Sequence, residues 1–151
     1  MRRVLVAAGL IALLGLSACG QSNSEATEAA PPAAKSTARQ QQMYAGQEQL
    51  ASVVQASVSV EKPGTLTMKA SGTTPTSGYT NLGFLRRIYP APPKDGIYEM
   101  DVVGDKPTGP TAQVVTPVEV SGGWEPYPAE HLKGVKFISK SGSVTAMLPP
   151  G

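Results

Sequence analysis

The chain has 151 residues, 16 of them glycine and 14 proline, with aromatic side chains at only 5%. That is room for one small domain and, once a leader and linker are set aside, too little for a second core. Thirteen Lys and Arg stand against eleven Asp and Glu, but Arg2 and Arg3 sit at the extreme N-terminus, so the remainder is near neutral. It has no basic stripe with interleaved aromatics, which excludes the usual nucleic-acid footprint.

Residues 1–18 divide into a cationic start (Met1-Arg2-Arg3), an apolar run over 4–14 and an exit of small residues. This is the pattern of a secretory signal peptide. The run is shorter than the roughly 18 to 20 apolar residues that a spanning helix needs. Its end, Leu16-Ser17-Ala18-Cys19, resembles the lipobox of bacterial lipoproteins. The resemblance implies diacylglycerol on the Cys19 thiol, cleavage between Ala18 and Cys19, and an N-acyl chain on the new terminus. Two or three acyl chains anchor stably where one binds marginally. Cys19 is the only cysteine, so it has no intramolecular disulfide partner, and lipidation removes a lone thiol from an oxidising compartment. Gly20 follows where aspartate often marks inner-membrane retention. The resemblance therefore implies an exported protein anchored at the periplasmic face of the outer membrane in a two-membrane cell.

After Cys19, the rest of residues 19–37 are mostly Ser, Ala, Glu, Thr, Pro and Gln with no large apolar side chain. They bury too little surface to offset ordering entropy and are expected to form a disordered tether. Residues 38–51 predict a short helix capped by Ser36 or Thr37, with Met43, Gln47 and Leu50 near one face.

Residues 52–151 are expected to be all-β, a small sandwich or partly open barrel, with an immunoglobulin-like arrangement among the options. Val54, Ala56, Val58 and Val60 alternate with polar residues, Pro63-Gly64 turns the chain, and Leu66, Met68 and Ala70 alternate again, which predicts a hairpin. Further strands are expected over 82–89, 97–103, 113–120, 135–139 and 144–148. Pro117 falls inside the third of these runs, which marks that strand as an edge or a bulge.

The loop Pro75-Thr76-Ser77-Gly78-Tyr79 gathers small hydroxyl residues, proline and glycine around an aromatic. It resembles the Asn-Pro-Thr-Thr-Gly-Tyr loop of the chagasin family, immunoglobulin-like inhibitors of papain-type cysteine peptidases. The resemblance implies that Pro75, Thr76, Ser77, Gly78 and Tyr79 form an inhibitory loop; Thr74 stands in place of the asparagine. The plainer reading is a turn with Gly78 at positive φ and Tyr79 packed inward. Fragments similar to the family's other loops occur at Ser121-Gly122-Gly123-Trp124. Trp124 is expected either to bind a partner from an aromatic loop or to pack on the sandwich edge.

Other candidates carry less chemistry. His131, the sole histidine, has no second imidazole or thiol to build a metal site or dyad with, and reads as a solvated loop residue. Glu99 and Asp101 fall on one face of a strand, expected to be a solvated polar face. Arg86-Arg87 with Tyr89 is a basic-aromatic spot, of which adjacent strand positions let only one arginine face a given side. No enzyme, metal or cofactor beyond the lipid is expected; the expected function is a non-catalytic binding or structural module in the cell envelope. Its partners would be the membrane and another envelope component.

Overall fold

The computed structural model describes residues Ser36–Pro150; the signal peptide, the lipobox and most of the tether lie outside the described residues. The described chain is all-β: β1 (Gln47–Gln49), β2 (Ser52–Lys62), β3 (Thr65–Thr74), β4 (Thr80–Arg86), β5 (Ile97–Asp105), β6 (Thr116–Trp124), β7 (Gly134–Ile138) and β8 (Ser143–Met147). Two sheets form a small β-sandwich. One is the three-stranded β2-β3-β6. In the other, β5 pairs with β4 along one side, while its opposite side is shared by β7, parallel at Ile97–Asp101, and β1, antiparallel at Val103–Asp105. β8 completes that sheet on β7.

The expected hairpin is present. β2 and β3 pair antiparallel across Pro63-Gly64, with Lys62 opposite Thr65. A register shift between Val53 and Gln55 changes which residues face inward: Val53 and Val58 are buried, whereas Val54 is 68% exposed. A single period of two therefore misassigns Val54, because a bulge adds one residue to one strand. Pro117 sits opposite Thr73 in β6, which pairs with β3 alone. Its missing N–H falls on an edge strand, where it breaks no ladder.

The core lies between the sheets. From β5, β7 and β8 come Tyr98, Met100, Val102, Val135, Phe137 and Ala146; from the facing sheet come Val58, Leu66, Met68, Ala70, Val120 and Trp124. Phe84 packs on Phe137 with ring centroids 5.2 Å apart. Each such fully buried apolar side chain contributes about 1.5 to 3 kcal/mol of transfer free energy.

The helix expected over 38–51 does not form. Arg39 instead pairs with Ile88 in an isolated bridge, and a turn closes from the Tyr44 carbonyl to the Gln47 N–H at 2.9 Å. Gln47–Gln49 then runs as β1 against Asp105–Val103, and Leu50 donates to the Val102 carbonyl at 2.8 Å before the chain crosses to the other sheet. The open side of β5 offers backbone partners that a thin apolar stripe on an isolated helix cannot match. Gly46 at φ +87° breaks the helical path just before β1.

Candidate functional site

Four residues of the Pro75–Tyr79 loop are held by their surroundings. Thr74 Oγ1 donates to the Thr76 carbonyl at 2.8 Å, and the Ser77 N–H donates to the Ala112 carbonyl at 3.2 Å. Gly78 lies at φ +85°, the conformation expected of it, against Pro107 and Thr111. The Tyr79 hydroxyl donates to the Glu48 carboxylate. Pro75 stays exposed. The loop is thus braced on the 107–112 segment and on β1, with its proline presented to solvent.

Glu48 is the electrostatic hub of that end. Lys140 Nζ donates to Glu48 Oε2 at 2.8 Å, and Lys106 Nζ lies 3.6 Å from the same oxygen. Burial alone would raise the carboxyl, but the hydrogen bonds from Lys140 and Tyr79 and the two ammonium charges hold it below its ordinary value. Burial, followed by the bond to Glu48 and its charge, pushes the Tyr79 phenol up to about 12.

Trp124 is not part of that end. It closes β6 opposite Leu66, whereas Thr74, which opens the loop, pairs with Thr116. Eight residues along a strand separate the two places by roughly 27 Å. Gly122-Gly123-Trp124 is strand, not an aromatic loop, and Trp124 is buried at 7% exposure. Its ring meets Tyr98 edge-on at 5.4 Å, and the Arg86 guanidinium lies over it at 5.4 Å from the centroid. Tyr98 meets Tyr89 edge-on in turn at 5.3 Å. These residues, with Gln41, Arg87, Ile88, Glu99 and Met100, line a cleft of about 290 Å³ at the margin where β4 and β6 approach. Among the described residues the Trp124 indole N–H has no partner.

The acidic face of β5 departs most from expectation. Glu99 and Asp101 do share a face, but they are 7% and 0% exposed. Arg87 reaches across from the end of β4, with Nε and Nη2 at 3.1 and 2.9 Å from Asp101 and Nη1 at 3.3 Å from Glu99. Lys136 on β7 lies 3.5 Å from Glu99, Gln49 on β1 donates to Asp101, and Ser36 donates to Glu99 at 2.7 Å. The hydrogen bond to Asp101, opposed by burial and reinforced by both carboxylate charges, raises the Arg87 pKa above its ordinary value. A face that alternation marks as solvated is instead a covered ionic layer, since cations and donors converge on it from neighbouring strands and from the segment before β1. Arg86 and Arg87 point to opposite sides, as their adjacency requires.

His131 is exposed between Pro128 and β7, and among the described residues no three His, Cys, Asp or Glu side chains are grouped to hold a metal. A second trough, about 530 Å³, runs over the outer face of β2-β3-β6 past Gln55, Ser57, Lys69, Ser71, Glu119 and Ser121; it has no aromatic wall. Among the described residues no helix is long and apolar enough to cross a membrane. Comparison with known proteins gave no matching family model, no matching curated protein and no matching solved structure.

The Arg86-Tyr89 spot was legible as a basic-aromatic cluster. Its union with Trp124 and Tyr98 was not, because it depends on which strands meet at the sandwich margin.

Proposed function

We propose that the chain is an exported lipoprotein anchored by acyl chains on Cys19, whose β-sandwich is a non-catalytic module that binds another envelope component. The observation that carries the binding reading is the Pro75–Tyr79 loop. It is fixed by hydrogen bonds at Thr74, Ser77 and Tyr79 while Pro75 remains exposed. A loop ordered before contact has already met its entropic cost, so it binds more tightly for the same surface. The engagement of Glu99 and Asp101 with Arg87, and of Glu48 with two lysines, supports a scaffolding role for these carboxylates.

A photo-crosslinking residue at Pro75 in the intact, lipidated protein tests this in the native cell, with the exposed Glu61 as reference position. A discrete protein or glycan adduct at Pro75 and none at Glu61 is the expected result. A correctly folded protein that yields no adduct at Pro75 would remove this loop as the binding surface.

The second reading is inhibition of papain-like cysteine peptidases by the same loop, favoured by its exposed, braced tip. The separation of Gly122-Gly123-Trp124 from the loop leaves that reading with one wedge in place of several. Papain activity in the presence of the protein decides it: dose-dependent inhibition, lost when Thr76 and Ser77 are replaced by lysine, would make the protein an inhibitor.

A further inference from the structure

The cleft between β4 and β6 borders the core, and beside it one buried donor and one cation are left without a polar partner among the described residues. It is lined by Tyr89, Tyr98, Met100 and Trp124, with Arg86 and Gln41 beside them. At about 290 Å³ it is at the small end of the roughly 300 to 1,000 Å³ usual for small-molecule sites. The indole N–H of Trp124 is buried with no acceptor among the described residues, and a buried donor left unpaired costs about 1 to 3 kcal/mol. Such a donor is completed by a ligand, an ion or an ordered water.

The charges around the cleft point to the kind of ligand. Arg87 and Lys136 are engaged with Glu99 and Asp101, whereas Arg86 makes no ion pair among the described residues and rests on the Trp124 ring. One cation is therefore left for an anion, next to one unsatisfied donor. Glu99 also lines the cleft, so a dianion such as phosphate would meet a carboxylate, while a single negative charge suits the surplus of one. Aromatic walls favour an apolar or aromatic body over a heavily hydrated one.

We propose that this cleft is a binding site for a small monocarboxylate with an apolar or aromatic body, about the size of one N-blocked amino acid. The carboxylate pairs with Arg86 and accepts from the Trp124 N–H; the body lies against Tyr89 and Tyr98. Both a free organic acid and the C-terminal residue of a peptide carry this chemistry. The site is distinct from the Pro75–Tyr79 end and does not depend on it.

Trp124 is the only tryptophan, so the full chain labelled with ¹⁵N-tryptophan gives a single indole resonance to follow. The probes are N-acetylphenylalanine, its C-terminal amide, and the dipeptide alanyl-phenylalanine. The expected result is a saturable indole shift with N-acetylphenylalanine at concentrations on the order of 1 mM. Binding should be weaker by about tenfold with the amide and in Arg86→Gln, as loss of one charge-assisted contact implies. Arg86 is exposed, so this variant is expected to fold. If the dipeptide binds more tightly than the acetylated amino acid, the natural ligand class is a peptide C-terminus; the reverse order assigns a free acid. Absence of any indole shift, or equal shifts with acid and amide, would overturn the proposal.

Discussion

Arg87 illustrates how much of this fold depends on one polar side chain. Its side chain is 19% exposed, and it faces one carboxylate side chain with no exposure at all and another at 9%. Deleting it leaves two carboxylates in a covered layer with only Lys136, itself 37% exposed, to balance them. Breaking a buried pair from one side costs about 3 to 5 kcal/mol, because the remaining charge is uncompensated. Arg87→Ala is therefore expected to lose about 3 kcal/mol in urea unfolding, while Lys62→Ala, on an exposed strand end, stays within about 0.5 kcal/mol. A loss below about 1 kcal/mol would show that water reaches Glu99 and Asp101 freely. At this scale the sequence was partly legible. The alternation of β5 put Glu99 and Asp101 on one face correctly, but their burial is set by Arg87, Lys136, Gln49 and Ser36, which come from four separate stretches of chain, and no local pattern encodes that convergence.

At the scale of elements, the tie between the β3–β4 loop and β1 runs through one bond, Tyr79 to Glu48, and its pH window follows from the two groups. Tyr79 is raised, so its contribution is complete below the ordinary phenol value of 10.0 and is lost as pH rises through about 12. Glu48 is lowered, so its contribution is present above the ordinary value of 4.5 and is lost as pH falls through the depressed one. The stability difference between the wild type and Tyr79→Phe is expected to be flat between these limits and to shrink above pH 10. In parallel, the phenolate absorbance that disappears in Tyr79→Phe should have a midpoint near 12; a midpoint near 10 would mean that the bond does not form in solution. The same elements show where sequence reading succeeds. The β2–β3 hairpin, the edge role of β6 with its Pro117 and the positive φ of Gly78 were all legible, because each is fixed by local chemistry. β1 was read as helix because its strand character exists only through β5, more than fifty positions away, and the parallel pairing of β5 with β7 is equally invisible to a periodicity argument.

At the scale of the whole molecule, the sandwich places its two candidate surfaces apart, the braced loop at one end of the β3–β6 pair and the aromatic cleft at the other. A partner held at Pro75 and a small carboxylate held at Arg86 can therefore be tested separately. Anchoring is separable again. Among the described residues the hydrophobic core runs from Leu50 to Ala146, and on the proposed reading the lipid on Cys19 serves as an attachment. Cys19→Ser removes the one thiol and with it, on the proposed reading, the site for diacylglycerol. The variant is expected to leave the membrane fraction on cell fractionation and to lose metabolic labelling with an alkyne-bearing fatty acid. Its thermal midpoint should stay within about 3 °C of the lipidated protein in the same detergent, since a substitution in a tether that takes no part in the fold is worth less than roughly 0.5 kcal/mol. Retention in the membrane without label would make the apolar run over 4–14 the anchor in place of the lipid. A lowered midpoint with loss of label would mean that the acylated terminus packs against the sandwich, and the tether would then have to be treated as part of the fold.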